Sequence, residues 1–164
     1  MPRAKAAVQS PGVFTEKTPA QQLAGFLDKF TPEIEKFTNA TLQRMRARLP
    51  GAVELVYDNY NALAIGFGPT SKTSEAIFSI AVYPRWVSLF FLAGKGLADP
   101  HGILKGSGNQ VRHIVLQTPD DIDEPRIKDL MDRALADADR IPDRTLPGRI
   151  EIKSISAKQR PRRP

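Results

Sequence analysis

Between residues 53 and 92 four short apolar runs follow one another with only turns and one polar loop between them. Val53 to Asp58, Ala62 to Phe67, Ile77 to Val82 and Trp86 to Leu92 each read as a strand, rich in Val, Ile, Leu and aromatic residues. Asn59-Tyr60-Asn61 and Tyr83-Pro84-Arg85 supply tight turns, and Gly68 to Glu75 a polar loop. A parallel pair needs a crossover of a dozen or more residues, so these four strands must run antiparallel to their neighbours. That succession constrains the fold more than any other feature. The run from Trp86 to Leu92 is apolar on both faces, which predicts a covered, central strand.

Helical periods flank this region. Thr18-Pro19 opens the first, with Leu23, Phe26, Leu27 and Phe30 on one face. Thr31-Pro32 repeats the start signal, and Ile34, Phe37, Leu42, Met45 and Leu49 form the apolar stripe of the second, which ends at Pro50-Gly51. Arg44, Arg46 and Arg48 fall on its solvated side. Arg112 to Gln117 reads as a fifth strand. The acidic stretch Thr118 to Pro125 then leads into an amphipathic helix through Ile127, Leu130, Met131, Ala134, Leu135, Ala138 and Ile141. Arg149 to Ile155 is a further strand. The expected class is α+β, an antiparallel sheet of about five to six strands with helices packed on one face.

One domain over residues 19–156 accounts for the length. The absence of cysteine excludes disulfides, thiolate zinc sites, cysteine-ligated iron–sulfur clusters and a catalytic thiol, and it suits a reducing, cytoplasmic setting. The most apolar stretch, Trp86 to Ala93, is far short of a membrane span, and the N-terminal residues lack the apolar core of a signal peptide. The net charge is +6, but residues 1–18 contribute +2 and residues 157–164 contribute +4, which leaves residues 19–156 neutral. The high pI therefore belongs to two basic tails, both expected to be solvated, the first of them disordered. Nucleic acid is a weakly supported partner for such tails.

The segment from Ala93 to His113 is dense in glycine and base, and most of it lies between two strands. Closely spaced glycines can turn successive N–H groups into one concavity that holds an anion. The candidate ligand-binding residues are Lys95, Lys105, Gly106, Ser107, Gly108 and Arg112. The spacing matches neither a Walker loop nor a dinucleotide fingerprint, and glycines in turns and bulges have the same composition. His101 and His113 do not make a metal site alone, and His113 reads as a packed strand residue. Asp120, Asp121, Asp123 and Glu124 sit where a helix start favours negative side chains. Tyr57, Tyr60, Tyr83 and Trp86 cluster around strand ends, as core or as stacking surfaces. No nucleophile–base arrangement and no paired carboxylates stand out, so neither catalytic residues nor a cofactor are assigned.

The stretch AIFSIAVYPRWVSLFFLAGKGLADPHGILKGSGNQVRHIVL, followed by PDDIDEP, resembles the YdhG-like domain-of-unknown-function family over roughly residues 50–138. Gly94, Leu97, Asp99-Pro100, Leu104 to Gly108 and Arg112 carry the resemblance. It implies a small α+β domain with an antiparallel sheet. One branch of that family looks like a frataxin-type iron chaperone using exposed acids. Three functions are thus expected in order: a non-enzymatic binding module taking an anionic small molecule or acidic protein at 93–113, an iron carrier using Asp120, Asp121 and Asp123, and a nucleic-acid accessory protein using the tails.

Overall fold

The computed structural model describes residues 16–164; the first fifteen residues of the expected N-terminal tail lie outside it. Helix α1 spans Pro19–Asp28 and α2 spans Pro32–Arg48. Both begin where the Thr-Pro pairs predict. The Thr18 hydroxyl accepts the Gln21 amide at 3.1 Å while the Gln21 side chain accepts the Thr18 amide at 2.9 Å, a reciprocal cap that satisfies two otherwise unpaired donors. Thr31 accepts the Ile34 amide at 3.3 Å.

The stripe of α2 differs from its periodic reading. Ile34 and Phe37 are half-buried, whereas Thr38 and Thr41 are fully buried with Leu42 and Met45. The Thr41 hydroxyl donates to the Phe37 carbonyl at 2.9 Å. The Thr38 hydroxyl has no partner among the described residues. Burying an unpaired hydroxyl is costly, and valine has nearly the same shape. Thr38→Val is expected to stabilise the protein by about 1 kcal/mol, read as a rise in urea midpoint at constant m-value.

Six strands follow: β1 (Val53–Asp58), β2 (Leu63–Gly68), β3 (Phe78–Val82), β4 (Val87–Phe91), β5 (Arg112–Leu116) and β6 (Arg149–Ile155). They form one sheet in the order β5-β4-β3-β2-β1-β6. Strands β1 to β5 are antiparallel throughout, as the short connections among β1 to β4 require. The expectation of a wholly antiparallel sheet needs one correction: β6 runs parallel to β1. Helix α3 (Pro125–Asp137) and the loop after it supply the long crossover that a parallel pair demands. A bulge in that pairing, opposite Val56 and Tyr57, carries Lys153 and returns Ile155 to the face of Ile150 and Ile152. The acidic residues before α3 form a separate 3-10 turn, Pro119–Asp123, and α3 starts only at Pro125.

The fold is α+β, with the helices on one face of the sheet. Leu23, Leu27, Phe30, Leu42, Met45, Ile127, Leu130 and Met131 pack in one core with Val56, Ile65, Phe67, Phe78, Ile80, Leu89 and Phe91. Phe78 and Phe91 meet edge to face at 5.6 Å. Val53 and Leu55 point the other way, yet are buried, because residues 69–76 fold back across that end of the far face. Ser71 donates to Glu151 at 2.6 Å, Lys153 donates to the Ser71 carbonyl at 3.0 Å, and Tyr57 bonds Thr73.

Residues 157–164 are not the solvated tail the charge run suggests. Arg162 is buried and its guanidinium donates to Asp58 at 2.9 Å and to the Asn59 carbonyl at 2.6 Å. Lys29 closes on the same carboxylate at 2.7 Å. Gln159 donates to the Asp58 carbonyl, and Arg163 to the carbonyls of Asp28 and Lys29. A buried carboxylate at the end of β1 must be neutralised, and this segment delivers the charge.

Candidate functional site: the free face of the sheet and the loop at its edge

The 93–113 segment is ordered by its own polar groups. The Asp99 carboxylate accepts the amides of Ile103 at 3.1 Å and Leu104 at 3.0 Å, so the concavity at the Asp99 turn is filled from within the chain. The Lys95 amide donates to the Gln110 carbonyl at 2.8 Å, within the short turn Gly94–Gly96. Arg112 lies on the helix side of β5, and its guanidinium donates to the carbonyls of Gly108 and Val111, both at 2.8 Å. Lys105 exchanges backbone hydrogen bonds with His113, 2.8 and 2.9 Å, extending the sheet edge by one residue pair. Gly106 follows with φ +113°, a conformation glycine adopts without strain, and a Cβ there would lie only 3.7 Å from His113 Nδ1.

Lys105, Gly106, Ser107 and Gly108 thus sit together as an exposed corner beside His113. Lys95 is held beside Gln110 by its backbone rather than at that corner, and Arg112 faces the opposite side of the sheet. None of the six lines a cavity described here.

The far face of the sheet beside that corner holds what the linear sequence did not reveal. Cross-strand pairing sets Leu55, Gly66, Ser79, Phe90, His113 and Lys105 in one row, with side chains on the same face. The next row is Tyr57, Ala64, Ala81, Ser88 and Val115. Both rows are large at the flanks and small in the middle. The result is a broad trough of about 530 Å³, floored by Ala64, Ser79 and Ala81 and bounded by Tyr60, Tyr83 and Phe90. Phe90 stacks on His113 at 5.0 Å, and Tyr83 on Trp86 at 4.6 Å, so two aromatic pairs stand at opposite corners. Trp86 and Tyr60 remain well exposed, at 44% and 47%. Burial raises the pKa of Tyr83, keeping its hydroxyl a proton donor. No carboxylate lines the trough.

The three aspartates of the acidic stretch are spoken for. Asp121 accepts from Gln117 and Thr118 at the 3-10 turn, Asp120 pairs with Arg44, and Asp123 pairs with Arg44 and Arg48. The arginines of α2, read as solvated, are therefore the partners of these acids, and Arg46 holds the buried Glu54 through two bonds of 2.7 and 2.8 Å. Among the described residues no group of three or more His, Asp or Glu is placed to hold a metal, and no helix is long and apolar enough to cross a membrane. His101 is exposed in the Asp99 turn. No known protein family, no curated protein and no solved structure matches this chain.

Proposed function

We propose that the protein is a non-catalytic binding module that takes a flat organic anion, its ring on the trough floor and its anionic group at the Lys105–Gly108 corner. The observation that carries this reading is the row of small residues ending in Phe90, His113 and Lys105. Small side chains in mid-sheet leave a floor with room for a ring, and aromatic edges give it stacking partners. Lys105 adds a positive charge, and the glycines leave backbone N–H groups of Gly106 to Gly108 accessible to an anion. The anionic ligand expected for the loop thus gains a place for the rest of the molecule. Lys95 and Arg112 become supports of the loop rather than contacts. The same reading takes the chain as a YdhG-like domain, on the residues that carry that resemblance.

The test uses 1-naphthyl phosphate, with 1-naphthol as its neutral counterpart. At about 100 times its dissociation constant the phosphate is expected to stabilise the protein by roughly 2.7 kcal/mol, a shift of several degrees in Tm. Ser79→Phe fills the half-buried middle of the floor and removes the shift. Lys105→Ala weakens the phosphate about tenfold and leaves naphthol unchanged. Equal binding by wild type and Ser79→Phe, or no shift at all, overturns the proposal.

A further inference from the structure

On the helix side of the sheet, away from the trough, lies a second and more enclosed cavity of about 280 Å³. It opens between residues 74–77, the turn Gly94–Gly96 and the last turn of α3. Its floor is apolar: Ile77, Phe91, Leu97, Ala134 and Ala138. Alanine and glycine at positions 76, 93, 94, 134 and 138 keep it from being filled by its own walls. The rim is charged and unbalanced, carrying Glu75, Asp137 and Asp139 against Arg140 alone. Arg140 is matched with Glu75 at 3.6 Å, and Glu75 also accepts the Thr70 hydroxyl.

Asp137 and Asp139 have no ion pair or side-chain hydrogen bond among the described residues. This contrasts with the rest of α3, where Asp132 pairs with Lys128 at 3.0 Å and Asp129 with Arg133 at 2.8 Å. The two unanswered carboxylates also stand at the wrong end of the helix. The C-terminus of a helix carries partial negative charge from its unpaired carbonyls and favours cations, yet α3 has no basic residue in its last turn. An apolar cavity whose mouth gathers two carboxylates and a helix C-terminus is complementary to an apolar molecule with a positive end.

We infer that this cavity is a second binding site, for a small apolar molecule bearing one protonated amine. The apolar body lies on Ile77, Phe91 and Leu97, and the ammonium sits at the rim between Asp137 and Asp139. Burial of the body supplies affinity, and the charge selects the amine over neutral or acidic molecules of the same shape.

The experiment is an amide NMR titration of the full chain with benzylamine, benzyl alcohol and benzoate at neutral pH. Benzylamine is expected to shift amides in 74–77, 93–97 and 134–140, with benzyl alcohol at least about tenfold weaker and benzoate weaker still. The exposed double change Asp137→Asn with Asp139→Asn is expected to reduce benzylamine affinity to that of the alcohol. Ala134→Leu fills the cavity and weakens both. Ser79→Phe, in the trough, leaves benzylamine binding unchanged, which separates this site from the one proposed above. Equal affinity for amine and alcohol, undiminished amine binding in the double variant, or no shifts around the cavity each overturn the inference.

Discussion

Asp58→Ala is expected to destabilise the protein by about 3–5 kcal/mol, the cost of leaving a buried charge without its partner. The Asp58 side chain is wholly inaccessible and receives Lys29 at 2.7 Å and Arg162 at 2.9 Å; the Arg162 side chain is only 3% exposed. Without the carboxylate, Lys29 can swing to solvent, but Arg162 cannot do so unless residues 157–164 leave their seat. The Arg162 Nε has no partner among the described residues, and the Asn59 and Tyr60 carbonyls that its other nitrogens reach bring no formal charge to balance it. Urea unfolding of the single variant, of Arg162→Met and of the pair measures the coupling. The double variant should cost clearly less than the two singles together, since removing both charges leaves neither stranded.

The same carboxylate sets an acid limit. Burial, the largest single influence on it, would raise its pKa, but the bonds from Lys29, Gln159 and Arg162 together outweigh burial and hold it below the usual carboxylate value. A group with a depressed folded pKa contributes stability that is fully present above the unfolded value, about 3.9 for aspartate, and is lost as pH falls through the folded value. Wild type should therefore lose Tm steeply below about pH 4, and Asp58→Asn should be less stable at neutral pH but flatter over that interval. Parallel curves for the two would show that the charge is not what matters.

Phe78→Ala is the second large effect, expected at about 3–5 kcal/mol. Phe78 is fully buried in the third strand of the sheet, opposite Phe67 on one neighbour and Phe91 on the other. Three large rings in one row cannot close over the space left by the middle one, so the cavity persists and its cost adds to the lost burial. That is a large share of the 5–15 kcal/mol that typically holds a domain together. Urea midpoints should fall at constant m-value. Phe90→Ala, half-buried on the opposite face, should cost much less, and a similar loss for both would contradict the one-sided core described above.

The elements whose signals are local were legible in the sequence. Thr18-Pro19 and Thr31-Pro32 mark both helix starts because capping is decided within four residues, and the strand bounds follow from a short apolar run at Val53–Asp58 and from closely spaced isoleucines at Arg149–Ile155. What failed to show depends on partners far apart in the chain. The direction of β6 is set by which strand it meets, not by its own pattern. The seat of Arg162 requires Asp58, more than a hundred residues earlier. An aspartate closing an apolar strand was the available hint, since a charge there must find an opposite one. The trough arises from Ala64, Ser79, Ala81 and Ser88, unremarkable small residues on three strands that only the register aligns. The 93–113 loop stands out in composition, but composition does not show that Asp99 fills part of it.

The parallel seat of β6 has a consequence for biosynthesis. While the chain emerges from the ribosome, β1 to β5 and the three helices are all translated before β6, so β1 begins life as an edge strand. Its sequence, VELVYD, is largely buried on both faces in the finished protein, and an unpaired apolar edge is a template for another chain. Between synthesis of residue 58 and residue 155 that edge lacks the strand that covers it in the finished sheet. The arrival of the last strand, with Arg162 close behind it, is what ends that exposure.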